Sequence, residues 1–218
     1  MKKGLVGALF LLLIFCVTGC SSASETTPTA IPTVSPTPTA VTESAKMIDA
    51  IVSLQDEGLS FDSGNYSKGQ IPPGEYIFIS LGESGRYYSE QDMSGSIIDN
   101  QNFASFGYVT VQGVGNVMST GCLVSVNALG KLGASGAKDI YEKMYGMKNY
   151  NQSGYYKVGV DIPEGVHTLN SLGGKGYYAL LSGPVGNKEI ISNENFNGAI
   201  DVEMTAGQYL ELNRASFN

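Results

Sequence analysis

The sequence predicts a mainly β protein: two tandem, similar β-sandwich-like modules with one or two short helices, set behind a disordered tether. Three observations predict it. Residues 21–44 are dominated by Ser, Thr and Pro. A stretch on the order of 60 residues occurs twice, in the same order and spacing. Within that stretch, apolar and polar residues alternate between turns rich in Gly and Asn, as half-buried strands require.

From the N-terminus, residues 1–19 read as a signal peptide. Lys2 and Lys3 give a positive start, and residues 5–17 are apolar and uncharged. That run falls short of the ~20 residues of a membrane span and fits a secretory h-region. It leads into "VTGC", residues 17–20. An aliphatic residue, two small residues and a cysteine in that order resemble the lipobox of bacterial lipoproteins. The resemblance implies cleavage before Cys20, a lipid on Cys20, and attachment to the extracytoplasmic face of the cell membrane.

Cleavage there removes Lys2 and Lys3 and no acid, so the formal charge falls from −7 to −9, with 11 basic and 20 acidic residues. An acidic chain without basic runs argues against nucleic acid, whose backbone recruits Lys and Arg. Of the three cysteines, Cys16 leaves with the signal and Cys20 takes the lipid. Cys122 is left without a partner for a disulfide. It lies in the apolar run "TGCLVSV" with no His, Lys or Arg beside it, and reads as a small buried hydrophobe rather than a reactive thiol.

Residues 20–43 form a lipid-anchored Ser/Thr/Pro-rich linker that has little to bury. At about 3.1 Å per residue in a polyproline-like state, it reaches on the order of 70 Å. Residues 44–59 hold a short helix. Met47, Ile48, Ile51, Val52 and Gln55 fall near helical spacing up to residue 57, and Gly58 stops it.

Residues 60–128 and 150–218 are the two β modules. "GNYSKGQIPPGEYIFISLGESGRYY" (64–88) matches "GYYKVGVDIPEGVHTLNSLGGKGYY" (154–178). Gly64, Tyr66 and Gly69 match Gly154, Tyr156 and Gly159. After one inserted residue, Ile71, Pro72 and Gly74 match Ile162, Pro163 and Gly165. Gly85 and Tyr87 match Gly176 and Tyr178, and "IIDNQNF" matches "IISNENF". In the second copy "AIDVEMTAGQYLELN" reads as a hairpin turning at "TAGQ", with "YVTVQGVGNVMS" as its counterpart. Between the modules, residues 129–149 form a helical connector. Ile140, Tyr141, Met144 and Tyr145 make one apolar face and Gly146 ends the helix.

The stretch "GYYKVGVDIPEG" resembles the G-x-Y-x-V-G-x-D-I-P-x-G-x-Y motif of secreted and lipid-anchored proteins of Gram-positive bacteria. That resemblance implies an extracellular β module and no established activity. The first copy departs from the motif, and His167 stands where the pattern has Tyr.

Asp161, Glu164 and His167 are spaced three apart, as an acid/base or metal site could be. Asp161 falls at the inserted residue, beside Gln70 of the sister copy, which has Pro73 and Tyr76 in the places of Glu164 and His167, so the shared content is strand, turn, strand, with one ring replacing another. A lone histidine is also weak support for zinc, which draws on several His or Cys. No G-x-S-x-G elbow, phosphate loop or calcium loop occurs. Asp201 and Glu203 fall on one exposed strand face. These readings assign no catalytic residue, metal or cofactor.

Sugar binding carries more weight than catalysis, although tyrosines are favoured in strands in any case and the chain has no Trp. Tyr87/Tyr88, Tyr155/Tyr156 and Tyr177/Tyr178 are adjacent pairs, and neighbours on a strand face opposite ways. Tyr88, Tyr155 and Tyr177 are the ligand-binding candidates. "DNQNF" and "SNENF" carry amides that could bond sugar hydroxyls, although turns are the simpler use of Asn. The expected function is a surface-anchored lipoprotein with non-catalytic modules that bind a glycan or a protein. The alternative is an assembly lipoprotein that pairs with another envelope protein. An enzyme is the weakest of the three readings.

Overall fold

The repeat in the sequence is a repeat of fold. The computed structural model describes residues 42–146 and 152–217. The signal segment 1–19, Cys20, the linker as far as residue 41, residues 147–151 of the connector and residue 218 lie outside the described residues.

Module 1 contains β1 (Ser60–Phe61), β2 (Gly64–Tyr66), β3 (Gly74–Ile79), β4 (Tyr87–Gln91), β5 (Ile97–Asn102), β6 (Phe106–Val111), β7 (Asn116–Ser119) and β8 (Cys122–Ser125). Module 2 contains β9 (Gly154–Lys157), β10 (Gly165–Ser171), β11 (Gly176–Leu181), β12 (Ile190–Phe196), β13 (Ala199–Met204), β14 (Tyr209–Asn213) and β15 (Ala215–Phe217). The sheets are β1-β8-β3-β6 over β2-β7-β4-β5 in module 1, and β13-β10-β15 over β12-β11-β14-β9 in module 2. With β1 set aside, the second pair of sheets repeats the first strand for strand. Even a bulge recurs, between Glu90 and Gln91 and between Leu180 and Leu181.

Register corrects the match read from sequence. Tyr88 lies opposite Ser119, which lies opposite Gly64. Tyr178 lies opposite Leu212, which lies opposite Gly154. Tyr88 therefore corresponds to Tyr178, and Tyr87 to Tyr177, one residue away from the sequence match. Module 1 carries one more residue between Ser80 and this strand, and a slip of one exchanges the two faces.

Two further expectations are corrected. "AIDVEMTAGQYLELN" is not a hairpin: β13 pairs with β10, whereas β14 pairs with β11 and β9 in the opposite sheet. Alternation identifies strands with one apolar face, but it is the same whether those faces lie side by side or across a core. The Asn-rich segments are not turns either; they are the edge strands β5 and β12.

Three α-helices, α1 (Glu43–Ser53), α2 (Leu129–Leu132) and α3 (Ala137–Tyr145), and a 3-10 turn at Val126–Ala128 complete the described chain. Thr42 caps α1 by accepting the Ala45 N–H at 3.1 Å, and Met47 and Ile51 are buried. The helix ends earlier than its apolar spacing predicts, with Leu54 as its C-cap and a turn continuing to Gly58. Helix α3 buries Ala137, Ile140, Tyr141 and Met144 and ends at Gly146 in the left-handed conformation, φ 61°. It lies over β3 and β6 and against α1.

That cover follows from side chains. Ile77, Ile79, Phe106 and Tyr108 make the outer face of this sheet in module 1 apolar, and all are buried. The register puts Thr168, Asn170, Ala199 and Asp201 in their places in module 2, and among the described residues no helix covers that polar face. The described residues form one compact unit, and buried residues of both modules and the helices make one continuous core.

Candidate functional site

The Asp161–His167 stretch closes a turn and joins the modules. Lys157 N–H donates to Asp161 Oδ2 at 2.8 Å. In module 1 the Ser67 N–H donates to Gln70 Oε1 at 2.6 Å, so both copies close the same turn with a side-chain oxygen. His167 Nε2 lies 2.9 Å from the Pro163 carbonyl, and the Tyr76 hydroxyl donates to the Pro72 carbonyl at 2.8 Å. One ring does replace the other, down to the same bond four residues back. Glu164 turns elsewhere and accepts the Ala206 N–H at 3.3 Å. The three side chains therefore do not converge. Among the described residues no group of three or more His, Cys, Asp or Glu is placed to hold a metal.

What the sister copy lacks is the reach of Asp161 beyond its own turn. Its Oδ2 also accepts the Tyr108 hydroxyl at 2.7 Å, and Oδ1 accepts the Lys138 N–H at 3.1 Å. The Tyr108 oxygen in turn accepts the Ala137 N–H at 2.9 Å. The N-terminus of α3 has no side-chain cap of its own at Gly136, and Asp161 supplies one from the other module. A Cβ on Gly136 would sit 2.3 Å from Asp161 Oδ1, so the contact requires glycine. Burial pushes the Asp161 carboxyl above its ordinary range, against the opposing pull of its donors.

The outer face of β12-β11-β14-β9 is covered by module 1. Tyr155 and Tyr209 of this face meet Phe103 and Tyr108 edge-on, with ring centroids 5.9 and 5.6 Å apart. Lys157 pairs with Glu75 at 2.8 Å, and the Tyr209 hydroxyl donates to the same Glu75 oxygen at 2.9 Å. Burial works against the Lys157 charge, but these partners outweigh it and its pKa rises. Burial pushes the Tyr209 hydroxyl up to about 12. Gln101 Nε2 donates to Glu211 at 3.0 Å.

The β11–β12 loop completes the interface. It has eight residues, against five in the β4–β5 loop of module 1. Its Val185 adds a parallel bridge to the edge of β6: Thr110 N–H donates to Val185 O at 2.7 Å, and Val185 N–H donates to Tyr108 O at 3.1 Å. Gly186 N–H donates to Asp99 at 2.7 Å.

Two of the three sequence-chosen tyrosines are therefore not at the surface. Tyr155 is 1% exposed in the interface, and its hydroxyl donates to the Gly183 carbonyl at 3.0 Å. Tyr88 is 0% exposed in the core of module 1. Tyr177 is half-buried on the interface side of β11. The surface assignment fails because Tyr88 faces inward, one residue out of the register read from sequence, and because Tyr155 faces a partner module rather than water. Cys122 is buried as expected, and burial raises its thiol to about 12.

The same face of module 1, the outer side of β2-β7-β4-β5, is not covered by any of the described residues. Asn65, Met118, Ser89 and Asn100 form one row across its four strands. Asn116 and Gln91 form the next row, and half-buried Tyr87 lies opposite Asn102. Two adjoining clefts share Asn65 and Met118, with volumes near 240 and 430 Å³. Ser89 is the buried floor of one, and Thr120 and Leu81 line the other. No charged side chain lines either cleft. The larger falls within the ~300–1,000 Å³ typical of small-molecule sites. The amides of "DNQNF" and the Tyr87/Tyr88 pair were visible in the sequence, but Asn65, Gln91 and Asn116 were not, and only pairing of the four strands brings these residues onto one face. Compared with known proteins, the chain matches no family model, no curated protein and no solved structure.

Proposed function

We propose that this chain is a bacterial surface lipoprotein whose first module binds an uncharged glycan on the outer face of β2-β7-β4-β5. In this reading the lipid on Cys20 holds the protein on the extracytoplasmic face of the cell membrane, and the Ser/Thr/Pro linker carries the modules away from the bilayer. Neither module performs chemistry. One observation carries the glycan assignment: module 2 uses this face to dock on module 1, whereas in module 1 no described residue covers it and no charged side chain lines its clefts. Asn65, Asn116, Gln91 and Asn100 offer paired donors and acceptors for sugar hydroxyls. Met118 and Leu81, each 38% exposed, offer apolar surface for the faces of sugar rings.

The test is a glycan array probed with the full chain in detergent, beside a variant carrying Asn65→Asp and Asn116→Asp. Binding of a neutral glycan that the variant loses at unchanged thermal stability is the expected result. Absence of binding to every glycan, or equal binding by the variant, sinks the assignment. For the anchor, Cys20→Ala should release the protein from membranes, and continued membrane attachment would contradict it.

A further inference from the structure

The two modules differ in whether the edge strand β6 or its counterpart β13 is occupied. In module 1 the outer side of β6 is closed by Val185, bonded to the Thr110 N–H and the Tyr108 C=O. Val109 lies opposite Tyr76, and Val202 lies opposite His167. That register makes Glu203 the counterpart of Thr110, and Asp201 the counterpart of Tyr108. The Glu203 N–H and Asp201 C=O thus stand where module 1 receives its added strand. Among the described residues no strand pairs with this side of β13. The surroundings are equally open. Ile191, the counterpart of half-buried Ile98, is 51% exposed, and Val166, the counterpart of Glu75, is 66% exposed.

We infer that the free edge of β13 takes up an extended, basic segment of another protein as an added strand, in the manner in which β6 takes up Val185. The chemistry of the occupant follows from substitutions between the copies. Gln101, Tyr108 and Thr110 of the filled site are replaced by Glu194, Asp201 and Glu203 in the empty one. All three acids are exposed and none forms an ion pair among the described residues. Main-chain bonds along an edge are indifferent to sequence, so flanking side chains decide which strand is accepted. Three carboxylates repel an acidic strand and favour one with Lys or Arg at alternate positions.

A second copy of this chain does not supply such a segment. Its β11–β12 loop is already engaged with β6. Its β4–β5 loop is three residues shorter and closed on itself, with Asp92 accepting the Ser94 and Ser96 N–H groups. Its linker, residues 21–44, contains no Lys or Arg. The site is separate from the glycan face of module 1, so either assignment can fail alone.

The experiment uses the full chain in detergent and a fluorescent peptide of alternating Lys and Val. Controls are a peptide with Glu in place of Lys and the exposed double variant Asp201→Lys, Glu203→Lys. The expected result is binding of the basic peptide that weakens with salt, with amide-exchange protection of residues 199–204. The variant should bind about tenfold more weakly or worse, with unchanged thermal unfolding. Equal binding of the acidic peptide, unchanged binding by the variant, protection confined to other strands, no binding, or self-association through β13 would each overturn the inference.

Discussion

The Tyr108 hydroxyl donates to Asp161 at 2.7 Å and accepts the Ala137 N–H at 2.9 Å, so one phenol on module 1 ties module 2 to the connector helix. Removing either partner strands the others. Asp161→Ala leaves the Tyr108 hydroxyl and the Lys138 and Lys157 N–H groups without their acceptor, at about 1–3 kcal/mol for each buried group that water does not reach. Urea unfolding should show Asp161→Ala as the more damaging change and Tyr108→Phe as the milder one. Equal stability of Asp161→Ala and wild type would mean that the clasp does not hold the modules.

Glu211 gives stability a definite pH dependence. Burial raises its carboxyl above the ordinary 4.5, against the opposing effects of Lys188, Asn213 and Gln101. The folded state therefore keeps its proton to higher pH than the unfolded state does. The resulting stabilisation is fully present below the unfolded value and is lost as pH rises through the folded one. Glu211→Gln keeps the shape and removes the titration. The difference in melting temperature between variant and wild type should widen in favour of the variant as pH rises from roughly 4 to 7, and a flat difference would refute this.

Gly186 holds the seam. Its φ is +92°, and an added Cβ would lie 2.4 Å from the Thr110 carbonyl oxygen. Gly186→Ala combines strain at positive φ with that clash, and should cost more than about 1 kcal/mol. Faster amide exchange at Thr110 and Val185 than in wild type is the specific readout, since a distant defect would leave that bridge protected.

Tyr88 and Tyr155 should answer differently to the loss of one oxygen. The Tyr88 hydroxyl is buried with no hydrogen-bond partner among the described residues, and burial raises its pKa, with Glu90 and Asp99 adding to the shift. Tyr88→Phe removes an unsatisfied polar group and should be neutral or stabilising. Tyr155→Phe gives up the bond to Gly183 and should destabilise by about 1 kcal/mol. Thermal denaturation of the two variants side by side decides this, and the reverse order would contradict the assignment of Tyr88 as unpaired.

The mainly β class, the two copies and their strands were legible because period-2 alternation and turn residues are local properties of the chain. The α3 face was legible for the same reason, and so was the equivalence of His167 with Tyr76. Register was not: the extra residue between Ser80 and β4 lies in a loop, and only pairing with β7 shows which of Tyr87 and Tyr88 faces inward. The β13–β14 connection was misread because alternation does not say which sheet a strand joins.

By itself, then, the sequence determined the repeated strands, the turns and which faces are apolar. Only the tertiary structure decided what those faces meet. Tyr155, Tyr209 and Asp161 look like surface or site residues until Phe103 and Tyr108 of module 1 meet them. Asn65 has no relation to Asn116 and Met118 until antiparallel pairing of β2 with β7 places them side by side. The cause is the same in both cases. Hydrogen bonding and burial between distant segments depend on docking geometry, which no local pattern of residues specifies.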